Sequence, residues 1–108
     1  MKFDKDLTRA VAETIILKLL CAGQLYGYQI IKEASSRSGG LFEWNEGTLY
    51  PCLHRLEAAG MIDGDWQLAE NGRNRKYYKI SAKGREAAAA RQAEWNAFRK
   101  AADAVFAS

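Results

Sequence analysis

The sequence is short of the residues on which metal sites and disulfide frameworks depend. Among its 108 residues it has one histidine, His54, and two cysteines, Cys21 and Cys52. A zinc site needs several such ligands at close spacing, and a disulfide framework needs more than two distant cysteines. We therefore expect no metal and no disulfide, and we expect both cysteines to be neutral thiols on apolar helix faces.

Features typical of enzymes are missing as well. The sequence contains no glycine-rich phosphate loop of the form GxxxxGK[ST]. It shows no nucleophile paired with a base, and no two carboxylates stand at a spacing that indicates acid/base catalysis. The sequence thus predicts no catalytic residues, no cofactor and no enzymatic activity.

Long apolar runs are also absent. The longest, from Ile15 to Cys21, is interrupted by Lys18, whereas a membrane helix needs about 20 apolar residues. The first residues, MKFDKD, lack the apolar region of a secretory signal. A chain of 108 residues with 48% hydrophobic content fits one compact unit. We expect a cytoplasmic protein with no membrane partner.

Positive charge is concentrated in one segment, although the net charge is only +3. Residues 72–85 contain six Lys and Arg and no acid, while the remaining residues carry ten Lys and Arg against thirteen Asp and Glu. Such a patch indicates an anionic partner, although a solvated charged hairpin would show the same composition. The six cations are Arg73, Arg75, Lys76, Lys79, Lys83 and Arg85.

Apolar periodicity and turn residues predict three helices, a hairpin and a long last helix. The first helix is capped by Asp6 or Thr8 and ends near Cys21, the second runs from Tyr26 or Gly27 to Arg37, and the third spans about 46–59. Residues 41–44 have the composition of a short strand. The hairpin strands are 61–68 and 75–80, joined through Asn71-Gly72, and the last helix follows a Ser81 cap for about 25 residues.

The third helix has an apolar face and an opposite polar face. Its apolar residues recur at i, i+3, i+4 and i+7, and they are Leu49, Cys52, Leu53 and Leu56. The opposite face carries Gly47, Pro51, His54 and Ala58, flanked by Thr48, Tyr50 and Arg55. Pro51 is unusual because an interior proline loses a helix hydrogen bond. Either the helix begins near Thr48, with Pro51 in its first turn, or the helix bends at Pro51.

The last helix carries an apolar stripe that a small monomer cannot cover. At 1.5 Å per residue the helix is about 38 Å long, and its stripe consists of Ala88, Trp95, Phe98, Ala102 and Val105. We therefore expect a homodimer built on this helix and on the strongly apolar first helix. The expected interface residues are Val11, Ile15, Trp95, Phe98, Ala102 and Val105.

The order helix, helix, helix, hairpin is that of a winged helix-turn-helix, an α+β fold that is mainly α. In this fold the third helix enters the DNA major groove and the hairpin, or wing, contacts the neighbouring backbone. We assign residues 1–80 to DNA binding and residues 81–108 to dimerisation, within one compact unit. Two other functions stay open: a protein–protein adaptor without DNA binding, and a DNA-binding regulator that responds to redox state or a metal.

Three stretches of the chain together resemble the PadR family of bacterial transcriptional regulators. They are Tyr26–Ile30 (YGYQI), Asn45–Glu57 (NEGTLYPCLHRLE) with Gly60–Ile62 (GMI), and Gly72–Ser81 (GRNRKYYKIS) with Lys83-Gly84. The resemblance covers nearly the whole chain and indicates a short member of the family with a single C-terminal helix. One departure is Asn74, which stands where a proline is common at the wing tip.

The resemblance implies a dimeric transcription factor, usually a repressor, that reads an inverted repeat in double-stranded DNA. The expected DNA contacts are Tyr28, Thr48, Tyr50, Pro51, His54, Arg55, Arg73, Arg75, Lys76 and Tyr77. In some short members a tryptophan at the place of Trp95 stacks planar ligands in a pore between subunits. This implies that Trp95 and Phe98 hold a planar hydrophobic effector; the alternative is that both side chains only seal the dimer.

Overall fold

The computed structural model describes residues 2–108, which form four α-helices and a three-stranded antiparallel sheet. In chain order the elements are α1 (Lys5–Leu20), β1 (Leu25–Tyr26), α2 (Gly27–Arg37), α3 (Glu46–Ala58), β2 (Ile62–Leu68), β3 (Asn74–Ile80) and α4 (Ala82–Phe106). This architecture confirms the predicted mainly helical α+β fold, a winged helix-turn-helix followed by a long helix.

Helix α1 begins earlier than predicted, because its cap is Asp4. The Asp4 carboxylate accepts the backbone N–H of Asp6 at 2.8 Å and that of Leu7 at 3.4 Å. The prediction of Asp6 or Thr8 as the cap is therefore wrong. Asp6 lies in the first turn instead, where its carboxylate pairs with Arg9 at 3.2 Å. Asp4, Asp6 and Thr8 are all good cap residues, so residue type alone does not select one.

The predicted strand over 41–44 is wrong, and the strand that accompanies the hairpin is β1. Residues 41–44 are irregular: the backbone N–H of Phe42 donates to Ser38 Oγ at 2.9 Å, and the Phe42 and Trp44 rings stack at 5.9 Å. Their aromatic composition reflects this packing rather than strand pairing. Strand β1 pairs antiparallel with Tyr77 and Tyr78 of β3.

The wing is a regular hairpin that extends beyond the core. Strands β2 and β3 pair from Ile62 and Ile80 at the base to Leu68 and Asn74 at the tip. The loop contains the predicted turn at Asn71-Gly72, and Gly72 has a φ of 80°, which glycine adopts readily. Ile62 and Ile80 are buried, whereas Leu68, on the same face near the tip, is exposed.

Helix α1 lies at the centre of the core. It packs against α2, α3, α4 and β3, as expected for a helix that is apolar on most of its circumference. Its buried side chains include Ile16, Leu17 and Leu20, which belong to the same cluster as Ile30, Leu49, Leu53, Leu56 and Ile62. Each of these large side chains stabilises the fold by about 1.5–3 kcal/mol on burial. Because α2, α3 and α4 all bury apolar side chains against α1, their positions depend on that helix.

Helix α3 is continuous through Pro51. It begins at Glu46, where the Asn45 side chain accepts the backbone N–H of Thr48 at 3.0 Å. The alternative in which the helix begins near Thr48 is therefore wrong, and Pro51 lies in the second turn. The predicted apolar face is buried: Leu49, Cys52, Leu53 and Leu56 all belong to the core.

Helix α4 begins at the predicted cap and extends beyond the body of the protein. Ser81 Oγ accepts the backbone N–H of Gly84 at 3.0 Å, and the helix has 25 residues. Gly84 and Ala88 are buried against the body, but residues 92–101 are exposed. The protein measures 56 × 31 × 21 Å along its principal axes, and most of the outer half of α4 is left uncovered by the other residues of the described range 2–108.

Gly84 is required where the start of α4 packs against Met61, in the connection between α3 and β2, and against Ile80 of β3. A Cβ at this position would overlap the backbone carbonyl of Met61 and lie 2.7 Å from Ile80 Cγ1. We predict that Gly84→Ala lowers the free energy of unfolding by about 1–3 kcal/mol, the usual cost of overpacking, as measured by urea denaturation. The matched control is Gly47→Ala in the first turn of α3, where a Cβ would meet only Asn45 Oδ1 at 3.3 Å. Equal stability of the native protein and Gly84→Ala would contradict this prediction.

Candidate nucleic-acid interface

A surface groove lies between the wing and the two helices that face it, α2 and α3. Tyr28 of α2 and Tyr50 and His54 of α3 line one wall. The wing lines the other wall, with Arg73, Arg75 and Lys76. The fold thus brings six of the ten predicted DNA contacts together in one place, although they come from three separate parts of the chain.

Two of the wing cations have partners beside the groove. The Arg75 guanidinium lies 4.2 Å from the centre of the Tyr26 ring. Lys76 Nζ pairs with Glu57 Oε1 of α3 at 3.3 Å. Both contacts hold a long side chain in place at the groove while leaving donor groups for an anion, because a guanidinium has five N–H groups and an ammonium has three. Arg73 is exposed near the wing tip.

The other four predicted DNA contacts lie outside this groove. Thr48, Pro51 and Arg55 line a second cleft on the opposite side of α3, next to the N-terminal segment and residues 41–45. Tyr77 packs edge-to-face on Tyr26, with 5.3 Å between ring centres. The predicted contacts on α3 therefore divide between two sides of the helix, with Pro51 exposed in the second cleft and His54 exposed in the groove.

Arg55 is paired within the chain. Its Nε donates to Glu13 Oε2 of α1 at 2.8 Å, and the other oxygen of Glu13 accepts from Arg91 of α4 at 3.3 Å. The hydrogen bond to Glu13 raises the pKa of the Arg55 guanidinium above its ordinary value. This pair could not be predicted from the sequence, because Glu13 is 42 residues from Arg55 and shows no local pattern with it.

Trp66 is a groove residue that the sequence analysis did not single out. It lies on β2 directly opposite Lys76 and is 68% exposed. Strand alternation places Trp66 on the same face as buried Ile62. That pattern suggests a core residue, but the hairpin has already left the body at this point, so the indole ring faces the groove.

The two cysteines have the character of structural thiols. Cys52 is buried, and its thiol donates to the carbonyl of Thr48 at 3.4 Å. Burial raises the pKa of the Cys52 thiol, although the neighbouring Arg55 partly opposes this effect. A raised pKa disfavours the reactive thiolate at neutral pH. Cys21 is half-buried, and the two cysteines are not bonded to each other.

Within residues 2–108, no group of three or more His, Cys, Asp or Glu side chains is arranged to hold a metal ion. In the same part of the chain, no helix combines the length and the apolar character that crossing a membrane requires.

The predicted dimer and effector residues form a separate surface on α4 and α1. The Trp95 and Phe98 rings are near-parallel, with 6.4 Å between their centres and an angle of 23° between their planes. Phe98 is 66% exposed and Val105 is 69% exposed, and Ala102 is half-buried between them. Val11 and Ile15 on α1 are also half-buried. These residues lie apart from the groove.

Comparisons with known proteins point to one family. The transcriptional regulator PadR-like family matches residues 16–90, from the last third of α1 to the first half of α4. Transcriptional regulator Rv3488 of Mycobacterium tuberculosis is 34% identical over 83 residues, which is 77% of this chain and 74% of that protein. An uncharacterised protein of Lysinibacillus sphaericus is 34% identical over 90 residues, 83% of each chain.

Solved structures agree with this result. A transcriptional regulator from Clostridium thermocellum is 34% identical and superposes with a TM-score of 0.83, covering 91% of this chain and 95% of that one. A PadR-like transcriptional regulator from Bacillus cereus is 25% identical with a TM-score of 0.79, covering 94% and 96% of the two chains. The likeness therefore extends over α4 as well as the winged domain.

Proposed function

The chain belongs to the PadR-like family of transcriptional regulators, and we propose that it represses transcription by binding an inverted-repeat operator as a homodimer. Proteins of this family are DNA-binding regulators and in general not enzymes. The observation that carries the proposal is the groove, which brings three cations of the wing to the side of α3. We assign DNA binding to residues 1–80 and pairing of the chains to residues 81–108.

The groove and the outer face of α3 have complementary tasks on DNA. In a winged helix-turn-helix the third helix lies in the major groove, where Pro51 and His54 of this chain would face base edges. Arg73, Arg75 and Lys76 would bind the phosphates beside it, and Tyr28 and Tyr50 have hydroxyl groups that donate to phosphate oxygens. Arg55 would contact a phosphate or a guanine through the guanidinium N–H groups that do not donate to Glu13. The predicted contacts Thr48, in the second cleft, and Tyr77, which packs on Tyr26, lie outside the groove.

The exposed stripe of α4 is the reason for proposing a dimer. Phe98, Val105 and Phe106 are each more than 60% exposed. Covering such side chains is worth about 1.5–3 kcal/mol each. A second copy of the chain supplies a matching stripe, and Val11 and Ile15 of α1 extend the covered surface. Two copies related by a two-fold axis present two α3 helices to half-sites about one helical turn, or a multiple of it, apart.

Pairing also creates a candidate effector site. Two copies of the Trp95–Phe98 pair facing each other form a flat apolar slot that fits a planar hydrophobic molecule. We propose that such an effector changes the separation of the two α3 helices and so weakens DNA binding. Repression follows from occupancy, because a dimer on promoter DNA excludes polymerase from the same bases, and the effector relieves it.

The wing is tested by its contribution to the salt dependence of binding. We predict that replacing Arg73, Arg75 and Lys76 together by alanine weakens binding to all duplexes. It should also make the plot of log affinity against log salt less steep, by the amount expected for the loss of about three phosphate contacts. Fluorescence anisotropy of a labelled duplex over a range of salt concentrations measures both effects.

The matched control removes the same charge elsewhere. Lys18, Arg37 and Lys100 are exposed and lie outside the groove, so their triple alanine variant should keep most of the native slope. Native affinity of the wing variant at every salt concentration would show that the wing does not bind DNA.

The effector site is tested with planar hydrophobic dyes. We predict that a dye of this kind changes tryptophan fluorescence and displaces DNA in the native protein, and that Trp95→Ala abolishes both responses. The control is Trp66→Phe, which removes the exposed tryptophan of the groove and should leave dye binding intact. A native protein without any response, or an unchanged response in Trp95→Ala, would contradict the assignment.

A further inference from the structure

One carboxylate connects three helices. Glu13 projects from α1 and pairs with Arg55 of α3 at 2.8 Å and with Arg91 of α4 at 3.3 Å. The Glu13 side chain is only 24% exposed, whereas the acids of the pairs Arg9–Asp6 and Arg99–Asp103 are 85% and 67% exposed. Exposed ion pairs contribute little to stability. Glu13 differs from the acids of those pairs because it is more buried and has two arginine partners.

The position of Glu13 matches the way in which the helices pack. Helix α4 packs mainly against α1, and helix α3 packs against α1, α2 and β2. Helix α1 is therefore the neighbour that α3 and α4 share. Apolar contacts between helices resist separation, but they are non-directional. The two ion pairs add a directional constraint, because each guanidinium must keep its N–H groups aimed at a carboxylate oxygen.

Arg91 lies where α4 leaves the body. It is half-buried, whereas the ten residues that follow it, 92–101, are exposed. From Arg91 to Phe106 the helix extends about 22 Å. A rotation of only about 5° at Arg91 would therefore move the end of the helix by about 2 Å. The Glu13–Arg91 pair therefore lies at the base of the overhanging segment, where a small change of angle has its largest effect on the far end.

We propose that Glu13 is a positioning residue that fixes the angle between α3 and α4 and so determines which half-site spacing the dimer accepts. The inference rests on the proposed function, because α4 pairs the two chains and α3 reads the DNA. With Glu13 in place, the direction of α4 sets the separation of the two α3 helices. Without its charge, each α3 helix adjusts independently to half-sites at different separations.

The test compares the spacing tolerance of variants. The native protein first selects its preferred operator from a pool of random duplexes, and two further duplexes are made with the half-sites one base pair closer and one farther apart. One base pair moves a half-site by about 3.4 Å. We expect the native protein to lose about tenfold or more in affinity for the altered duplexes, and Glu13→Gln and Arg91→Gln to lose only about threefold, at one fixed salt concentration.

Two controls separate positioning from general destabilisation. Glu94→Gln removes an exposed carboxylate of α4 and should discriminate between spacings as the native protein does. The double variant with Glu13→Gln and Arg91→Gln should be no more tolerant than either single variant, because both changes break the same link. Arg91 lies far from the groove and on the edge of the body, so Arg91→Gln carries the test if Glu13→Gln does not fold.

The outcomes distinguish the inference from the function on which it rests. Native discrimination by both single variants, in proteins that bind the selected operator, would overturn the role of Glu13 and leave DNA binding intact. A native protein that selects no duplex would overturn the proposed function and the inference with it. Relaxed spacing in both variants, with an unchanged dimer mass, would support the inference.

Discussion

The burial of α1 is the constraint on which the rest of the structure depends. Its apolar side chains cover most of the helix surface, so α2, α3, α4 and β3 must all pack around it. Leaving one large side chain such as Leu17 or Leu20 in water would cost about 1.5–3 kcal/mol. Helices α3 and α4 are therefore both packed on α1. Glu13 of α1 adds an ion pair to each of them, with Arg55 of α3 and Arg91 of α4.

The groove shows how a cationic surface is built without instability. Three cations lie close together on the wing, and neighbouring groups offset their mutual repulsion: Glu57 pairs with Lys76, and the Tyr26 ring lies under Arg75. These contacts hold long side chains near one geometry before any DNA arrives, which reduces the conformational entropy lost on binding. Arg55 is held in the same way by the Glu13 carboxylate.

The fold was largely predictable because its signals are local. The apolar face of α3, the Asn71-Gly72 turn and the Ser81 cap all arise from residues close together in the chain. The errors arose where competing local signals were equivalent, as at Asp4, or where aromatic residues such as Phe42 packed without strand pairing. The arrangement of the site was less predictable, because the pairing of Glu13 with Arg55 spans 42 residues and depends on how the helices pack.

We propose that the apolar stripe of α4 is covered by a second copy of the chain, which would place two α3 helices at a fixed distance. Sedimentation equilibrium of the purified protein over micromolar concentrations, without DNA, tests it most directly. We expect a mass of twice 12.1 kDa, with dissociation when Phe98 or Val105 is replaced by a charged residue. A native protein that stays at 12.1 kDa throughout this range would contradict it.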